Sequence, residues 1–158
     1  MVRPFEEIVA EHGAVVMRVC RALLGPHDAE DAWSETFISA LRAYPDLRPD
    51  SNVRGWLVTI AHHKGIDQIR RRERAPRPTR DLPERSTRDD APATTDGDLR
   101  AALDALPPKQ RGAVIYRYLA DLSYAEVGAL LESSEAAARR SAADGIAKLR
   151  KDYLKGSP

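Results

Sequence analysis

A proline-rich segment in the middle of the chain, Pro76–Gly97, limits the possible folds more than any other feature. It holds four prolines, no aromatic residue and one large apolar side chain, Leu82. Such a segment cannot bury enough apolar surface to offset the conformational entropy that is lost on ordering. The sequence therefore predicts a flexible linker at 76–97 between two small domains, at 1–75 and 98–158.

Apolar residues in both flanking segments recur at intervals of three and four, the spacing of helices that bury one face. Gly25-Pro26 marks a helix boundary, and Ser51 or Asn52 can cap a helix that runs into the following basic segment. No stretch alternates with a period of two over a useful length, so the predicted fold class is all-α. The expected helices run at about 5–23, 28–44, 53 into the basic segment, 98–106, 108–120, 123–132 and 134–153.

The basic residues of the chain are unevenly distributed, although its net charge is only +1. The stretch Lys64–Arg80 holds seven basic and two acidic residues, a net charge of +5. A protein that binds a polyanion needs such a local patch, which the overall charge conceals. Within it, Arg70, Arg71 and Arg72 either contact phosphates or form a solvated helix end that the helix dipole favours.

Other features exclude whole classes of protein. Cys20 is the single cysteine, which excludes an internal disulfide and a zinc site built from several thiolates. No apolar run approaches the roughly 20 residues that span a bilayer, and the N-terminus does not resemble a signal peptide. We expect a cytoplasmic protein without membrane contact, cofactor or bound metal.

The helix at 28–44 presents an unusual face opposite its apolar stripe. Carboxylates surround an isoleucine there, in a set formed by Asp31, Ser34, Glu35 and Ile38. A solvated acidic face is the simple interpretation, but an isoleucine among carboxylates is unusual for pure solvation. A partner helix could bury the isoleucine and pair with the carboxylates.

Residues 123–153 predict two helices joined by a tight turn. Ser123 and Glu126 form a capping-box pattern, and the second helix presents Arg139 and Arg140 near its start, followed by Asp144. This arrangement is typical of a helix-turn-helix, whose second helix enters the major groove of DNA. A purely structural helical hairpin is the alternative.

These segments together resemble an extracytoplasmic-function RNA polymerase sigma factor of the sigma-70 superfamily. Ala29–Phe37 is similar to the family's "AEDLVQETF", and Arg54–Ala61 with Asp67–Arg72 is similar to "RxWLxxIAxN…DxxRRR". Leu103–Arg111 is similar to "ALxxLPxxQR", and Leu122–Val127 matches the start of the family's helix-turn-helix. The matches occur in family order and cover most of residues 5–151.

The resemblance implies a role in promoter recognition without catalysis by the chain itself. The face with Asp31, Ser34, Glu35 and Ile38 would bind core RNA polymerase, and the Tyr44–Asn52 loop, with Leu47 and Arg48, would capture minus-10 bases. Arg139 and Arg140 would enter the minus-35 major groove. An anti-sigma factor is a possible further partner, because family members are commonly held by one.

The chain departs from the family pattern at several positions that bear on DNA, three of them among the candidate site residues. Leu47 replaces a frequent aromatic residue and so loses a stacking contribution of about 1–3 kcal/mol per base. His63 stands where the family has a base-reading asparagine. Asp144 replaces an arginine and would repel phosphate, so we expect minus-35 recognition to be atypical or weak.

Two rival interpretations remain at the level of sequence. A transcription regulator that binds operator DNA without polymerase would share the helix-turn-helix, but it gives the acidic face no role. An enzyme would have to use His62, His63 and Asp67, and adjacent histidines cannot share one face of a helix as a metal-binding pair would. The sequence therefore predicts no enzyme activity.

Overall fold

A computed structural model describes residues 3–74 and 95–156, and the regular elements in those ranges are all helical. The helices are α1 (Phe5–Leu24), α2 (Pro26–Ala43), α3 (Val53–Arg74), α4 (Thr95–Asp104), α5 (Pro108–Val114), α6 (Tyr124–Leu130) and α7 (Glu135–Gly156). A 3-10 turn at Tyr44–Asp46 follows α2, and a π-helical turn at Ile115–Leu119 continues α5. The all-α prediction is confirmed.

The expected linker lies mostly outside the described residues, which resume at 95. Helix α4 begins at Thr95, three residues before the start expected from the sequence. The other helices begin and end within a few residues of the expected positions. The main difference is that the helix expected at 108–120 divides into α5 and the π-helical turn.

Local side chains account for several helix boundaries. Gly25 separates α1 from α2 with a φ of 86°, a conformation that favours glycine, and Pro26 then opens α2. Asn52 caps α3, because its Oδ1 accepts a hydrogen bond of 3.2 Å from the Gly55 N–H. At the start of α6, the predicted capping box is confirmed: the Ser123 hydroxyl accepts from the Glu126 N–H at 3.1 Å.

The first hydrophobic core lies among α1, α2 and α3. Cys20 is buried in this core, and burial raises the pKa of its thiol to about 12. Trp33 donates a hydrogen bond of 2.9 Å from Nε1 to the carbonyl of Gly13, which joins α2 to α1. The buried members are Ile8, Val16, Cys20, Leu24, Ala29, Ala32, Phe37, Ala40, Leu57 and Ala61.

The second core lies among α4 to α7, but it extends onto the first group of helices. Val19 and Ala22 of α1 and Val58 of α3 belong to the same buried cluster as Ile115 and Tyr116 of the π-helical turn. The two groups of helices therefore pack against each other through apolar side chains. This packing positions the surfaces described next.

Candidate nucleic-acid and polymerase interfaces

The exposed side of α2 carries the residues that the sequence singled out for binding a partner. Asp31, Ser34 and Ile38 are exposed, and Glu35 is half-buried. Ile38 keeps 50% of its surface accessible, and Leu41, one helical turn further, keeps 55%. Sequence reasoning missed Leu41, although its three-residue spacing from Ile38 puts both side chains on one side of the helix. We call these five residues the α2 face.

A second surface, on α3, contains the residue expected to read the minus-10 bases. Thr59, His63 and Arg70 follow one another along one side of the helix and line a cleft of about 470 Å³ together with Asp67. We call these four residues the α3 face. Opposite them, across the cleft, stand Glu126 and Glu132 of the second group of helices together with apolar residues of α6.

The arginines after the cleft differ in their partners. Arg70 is exposed at the edge of the cleft, whereas Arg71 lies 3.7 Å from the carboxylate of Glu35 and Arg72 lies 2.8 Å from that of Asp28. Both pairs join α3 to α2. A phosphate contact by Arg71 or Arg72 would therefore have to compete with a carboxylate in the same domain.

The preceding loop holds the other two residues assigned to the minus-10 element. Leu47 is half-buried just after the 3-10 turn, and Arg48 is exposed with a long ion-pair distance of 3.9 Å to Asp50. Trp56, near the start of α3, packs on the edge of the first core beside Tyr44, with ring centroids 6.5 Å apart. Trp56 is therefore a partly buried residue of the first core.

A partly buried hydrogen bond joins α3 to the second group of helices. The Nδ1 atom of His62 lies 2.5 Å from the hydroxyl oxygen of Tyr116, and their rings meet edge to face at 5.3 Å. Burial lowers the pKa of His62 to about 4, with a further lowering from His63, and burial raises the pKa of Tyr116 above its ordinary range. Both groups are therefore uncharged at neutral pH.

One carboxylate links the N-terminal caps of two helices that are distant in sequence. Glu126 accepts from the Ser123 N–H at 2.9 Å through Oε1, which completes the cap of α6. Its Oε2 accepts from Nδ2 of Asn52 at 2.5 Å, and Asn52 in turn caps α3. A Cβ atom on Gly55 would lie 2.6 Å from that Oε2, so the absence of a side chain there permits the approach.

The helix-turn-helix presents its predicted DNA-binding residues at the surface. Arg139, Arg140 and Asp144 of α7 are exposed. Asp144 borders a shallow depression with Lys148 and Lys151, and the ion pairs within the described ranges do not include it. Among the described residues, Asp144 therefore forms no ion pair with its neighbours Arg140 and Lys148.

An aromatic ring holds Arg139 in place. The guanidinium carbon of Arg139 lies 4.4 Å from the ring centroid of Tyr124, and its Nη2 donates to Glu135 at 3.2 Å. Arg117 approaches the same ring at 4.7 Å and donates to the carbonyl of Leu122 at 2.9 Å. Each such cation–π contact contributes about 0.5–1 kcal/mol at an exposed site. Sequence reasoning missed Arg117 and Tyr124 as neighbours of the recognition helix, because Arg117 precedes the motif.

The residues considered for an enzyme, His62, His63 and Asp67, all line the cleft beside α3. His62 bonds to Tyr116, and the adjacent His63 ring is tilted away with its centroid 5.5 Å from that of His62. Within 3–74 and 95–156 there is no group of three or more His, Cys, Asp or Glu side chains that could hold a metal ion.

None of the helices in the described part of the chain is long and apolar enough to cross a membrane.

Comparison with family models gives two matches that together cover most of the chain. The model of sigma-70 region 2 matches residues 8–75, and that of sigma-70 region 4 matches residues 96–149. The ECF RNA polymerase sigma factor SigE of Mycolicibacterium smegmatis is 37% identical over 161 residues, which cover 95% of this chain and 61% of that protein. The RNA polymerase sigma factor CarQ of Myxococcus xanthus is 32% identical over 151 residues, covering 92% and 87%.

Among solved structures, the fold is similar to that of the sigma factor RpoE of Bartonella quintana in complex with the anti-sigma factor NepR. The two share 20% sequence identity with a TM-score of 0.77, and the match covers 98% of each chain. This likeness shows the fold alone, whereas the family models and the two relatives show the family to which the chain belongs. The chain belongs to the extracytoplasmic-function group of the sigma-70 family of RNA polymerase sigma factors.

Proposed function

We propose that this chain binds core RNA polymerase through the α2 face and directs the polymerase to promoters. The observation that carries the assignment is the pair Ile38 and Leu41, two large apolar side chains that are half-exposed beside Asp31 and Glu35. Apolar anchors surrounded by polar groups are typical of binding hot spots. Sigma factors are regulatory proteins, and nucleotidyl transfer is assigned here to the polymerase.

The α3 face and the Leu47–Arg48 loop are proposed to take up the minus-10 element. His63 offers a ring nitrogen for a hydrogen bond to an unpaired base, and Arg70 supplies charge for a phosphate beside it. Arg71 and Arg72 reach phosphates only after leaving Glu35 and Asp28, so their contribution to affinity is smaller than their number suggests.

The second domain is proposed to contact the minus-35 element through α7. Arg139, held over Tyr124 and paired with Glu135, has a fixed direction, whereas Arg140 is exposed beside it. Asp144 on the exposed side of α7 repels phosphate and limits this contact. We therefore assign more of the promoter selectivity to the first domain than to the second.

The remaining parts of the assignment follow from the same family. The segment 76–97 would connect domains 1–75 and 98–158 through the polymerase, and the chain would act in the cytoplasm. Because the Bartonella quintana structure contains an anti-sigma factor, we also propose that this chain is held by one. An operator-binding regulator without polymerase is not favoured, because it leaves the α2 face without a role.

A competition experiment tests the assignment of the α2 face. The double variant Asp31→Lys with Glu35→Lys is expected to lose most of its ability to displace a labelled wild-type chain from core polymerase. Glu6→Lys with Asp98→Lys makes the same change in charge at exposed positions outside α2 and serves as the control. If the α2 variant competes as well as the control does, the face is merely solvated and the proposal is wrong.

A further inference from the structure

We propose that Arg72 contacts no promoter phosphate and instead positions the α3 face, because its ion pair with Asp28 holds the last turn of α3 against the start of α2. The inference rests on the proposed function of the α3 face. It deepens that function by dividing the basic run at the end of α3 into residues that bind DNA and one residue that orients them.

Helix geometry puts Arg70 and Arg72 on opposite sides of α3. At about 100° per residue, Arg70 lies about 20° around the helix from Thr59, within the α3 face, whereas Arg72 lies about 220° from Thr59. Gly65 shares the side of Arg72, and a Cβ atom on it would lie 3.3 Å from the side chain of Leu23 in α1. This side of α3 therefore packs on the other helices of the first domain and points away from the cleft.

The partner of Arg72 is a carboxylate that is largely removed from solvent. The Nη2 atom of Arg72 lies 2.8 Å from Oδ2 of Asp28, and the Asp28 side chain keeps 16% of its surface accessible. This oxygen is buried, and among the described residues it accepts no aligned hydrogen bond. A buried carboxylate oxygen that loses its compensating charge is costly. Arg72 therefore cannot turn to a phosphate without leaving Asp28 uncompensated.

The neighbouring pair of Arg71 and Glu35 is different in kind. The distance between their charged groups is 3.7 Å, and the Glu35 side chain keeps 41% of its surface accessible. Water can hydrate Glu35 when Arg71 leaves it, so this exposed pair is weak. Arg71 is free to take a phosphate at small cost, whereas Arg72 is held by a shorter contact with a buried oxygen.

The pair of Asp28 and Arg72 connects the two helices that carry the proposed binding faces. Asp28 lies in the first turn of α2 and Arg72 in the last turn of α3, where each charge is also favoured by the dipole of its own helix. The pair fixes the end of α3 relative to α2. It thereby sets where Arg70 and His63 stand when the α2 face is bound to polymerase.

Neutral variants of the two partners distinguish a positioning residue from a phosphate ligand, because the two roles predict opposite effects of Asp28→Asn. A phosphate ligand would be released by this change, and DNA binding would become tighter. A positioning residue would lose its partner, and DNA binding would become weaker. Holoenzymes are assembled with each variant, and retention of a fork-junction DNA library with a randomised single-stranded overhang is measured between about 50 and 200 mM salt.

We expect Asp28→Asn and Arg72→Gln each to weaken retention about threefold to tenfold, and the double variant to be no weaker than the weaker single variant. Glu6→Gln, which removes one charge from an exposed position of α1, is the control for net charge and should retain DNA as wild type does. Retention by Asp28→Asn that equals or exceeds the wild-type value would overturn the proposal, as would losses that multiply in the double variant.

The salt dependence of the same measurement compares the two arginines directly. Arg70→Gln should lower the salt slope by about 0.7 to 0.9, the value for one lost phosphate contact. Arg72→Gln removes the same charge two residues further along α3 but should keep the wild-type slope. An equal fall of the slope in both variants would make Arg72 a phosphate ligand and reject its positioning role.

A distance measurement separates positioning from a general loss of stability. Spin labels on Ala14→Cys and Glu73→Cys, exposed positions of α1 and α3, report where the end of α3 lies, and Cys20 is buried. Below the unfolding transition we expect a narrow distance distribution in the otherwise wild-type chain. It should broaden when Asp28→Asn or Arg72→Gln is added, and an unchanged narrow distribution in both would contradict the proposal.

The proposed function fails separately from this inference. If the wild-type chain adds no DNA retention to that of core polymerase alone, the promoter role is wrong, whereas the spin-label distance still decides whether the pair holds α3 in place. If wild type does add retention and both neutral variants match it, the promoter role stands and the positioning role of Arg72 is wrong.

Discussion

Two neighbouring helices of the first domain present their candidate binding faces in different surroundings. The α2 face is open to solvent, with Ile38 and Leu41 each about half exposed. The α3 face turns toward the second domain, and His62 beside it is already bonded to Tyr116. The difference does not come from helix propensity, because both helices expose polar residues on one side. It comes from what packs against each of them.

This contrast makes the α2 face the more accessible of the two. The α3 face lines a cleft whose other wall belongs to the second group of helices. Because Arg71 lies 3.7 Å from Glu35, a partner that engages the α2 face also disturbs an ion pair of α3.

The largest expected effect comes from replacing the apolar residues of the α2 face. Ile38→Asp and Leu41→Asp each put a charge in place of an apolar side chain that a partner would bury. We expect each change to weaken core binding by at least about 2 kcal/mol, or roughly 30-fold in Kd. Binding of labelled chain to core polymerase, followed by fluorescence anisotropy, measures this directly.

Ala14→Asp on α1 is the matched control, since this position is exposed and lies outside both faces. The melting temperature of all three variants should change little, because none of the positions is buried. Wild-type affinity in Leu41→Asp, together with a loss in Ile38→Asp, would restrict the binding surface to the residues chosen from the sequence.

The second effect concerns the contact between the two domains and its dependence on pH. Burial beside Tyr116 lowers the pKa of His62 to about 4 from an ordinary value of 6.5. The contribution of neutral His62 to this contact is therefore fully present above about pH 6.5 and is lost as the pH falls toward 4, because protons bind the separated form more tightly. Between about pH 7.5 and about pH 5.5 the equilibrium constant of the contact should fall about tenfold, as followed by the distance between spin labels on Ala14→Cys and Lys148→Cys, which are exposed positions of α1 and α7.

Other charged groups around the cleft affect this response. His63 lowers the pKa of His62 and Glu132 raises it, while Asp67, Arg70 and Glu126 line the same space. His62→Gln retains a polar side chain but cannot titrate, so its interdomain distance should not vary over this range. A pH response that persists in His62→Gln would assign it to another of these groups.

The sequence predicted those features that depend on neighbours within a few residues. The capping box of Ser123 and Glu126, the alternative cap at Asn52 and the polar side of α2 all follow from spacings of three or four residues. Such spacings determine which residues share a helix face or a helix end, whatever the tertiary structure. Helix bounds agreed to within a few residues for the same reason.

The contacts between the two groups of helices could not be predicted in this way, because they join distant parts of the chain. Asn52 and Glu126 are 74 residues apart, and His62 and Tyr116 are 54 apart. The sequence pattern identified Glu126 as a capping residue, which accounts for one of its carboxylate oxygens. No local pattern indicated that the other oxygen would accept a hydrogen bond from Asn52. Likewise, the basic run gave no sign that Arg72 would lie 2.8 Å from Asp28, since that pair depends on the packing of α3 against α2.

The smallest expected effect concerns the base preference of a single side chain of the α3 face, His63. It is exposed on α3 at the edge of the cleft, one helical turn from Thr59, and is not part of the α2 face. His63→Asn keeps a hydrogen-bonding group but changes its reach and its arrangement of donors and acceptors. We therefore expect the ranking of minus-10 variants in a transcription library to change, by up to about 3 kcal/mol for the best discriminated base and less for most. Core affinity should remain at the wild-type value, because the α2 face is untouched. Identical rankings for both proteins would mean that His63 does not read a base, and that the α3 face contributes charge through Arg70 but no sequence preference.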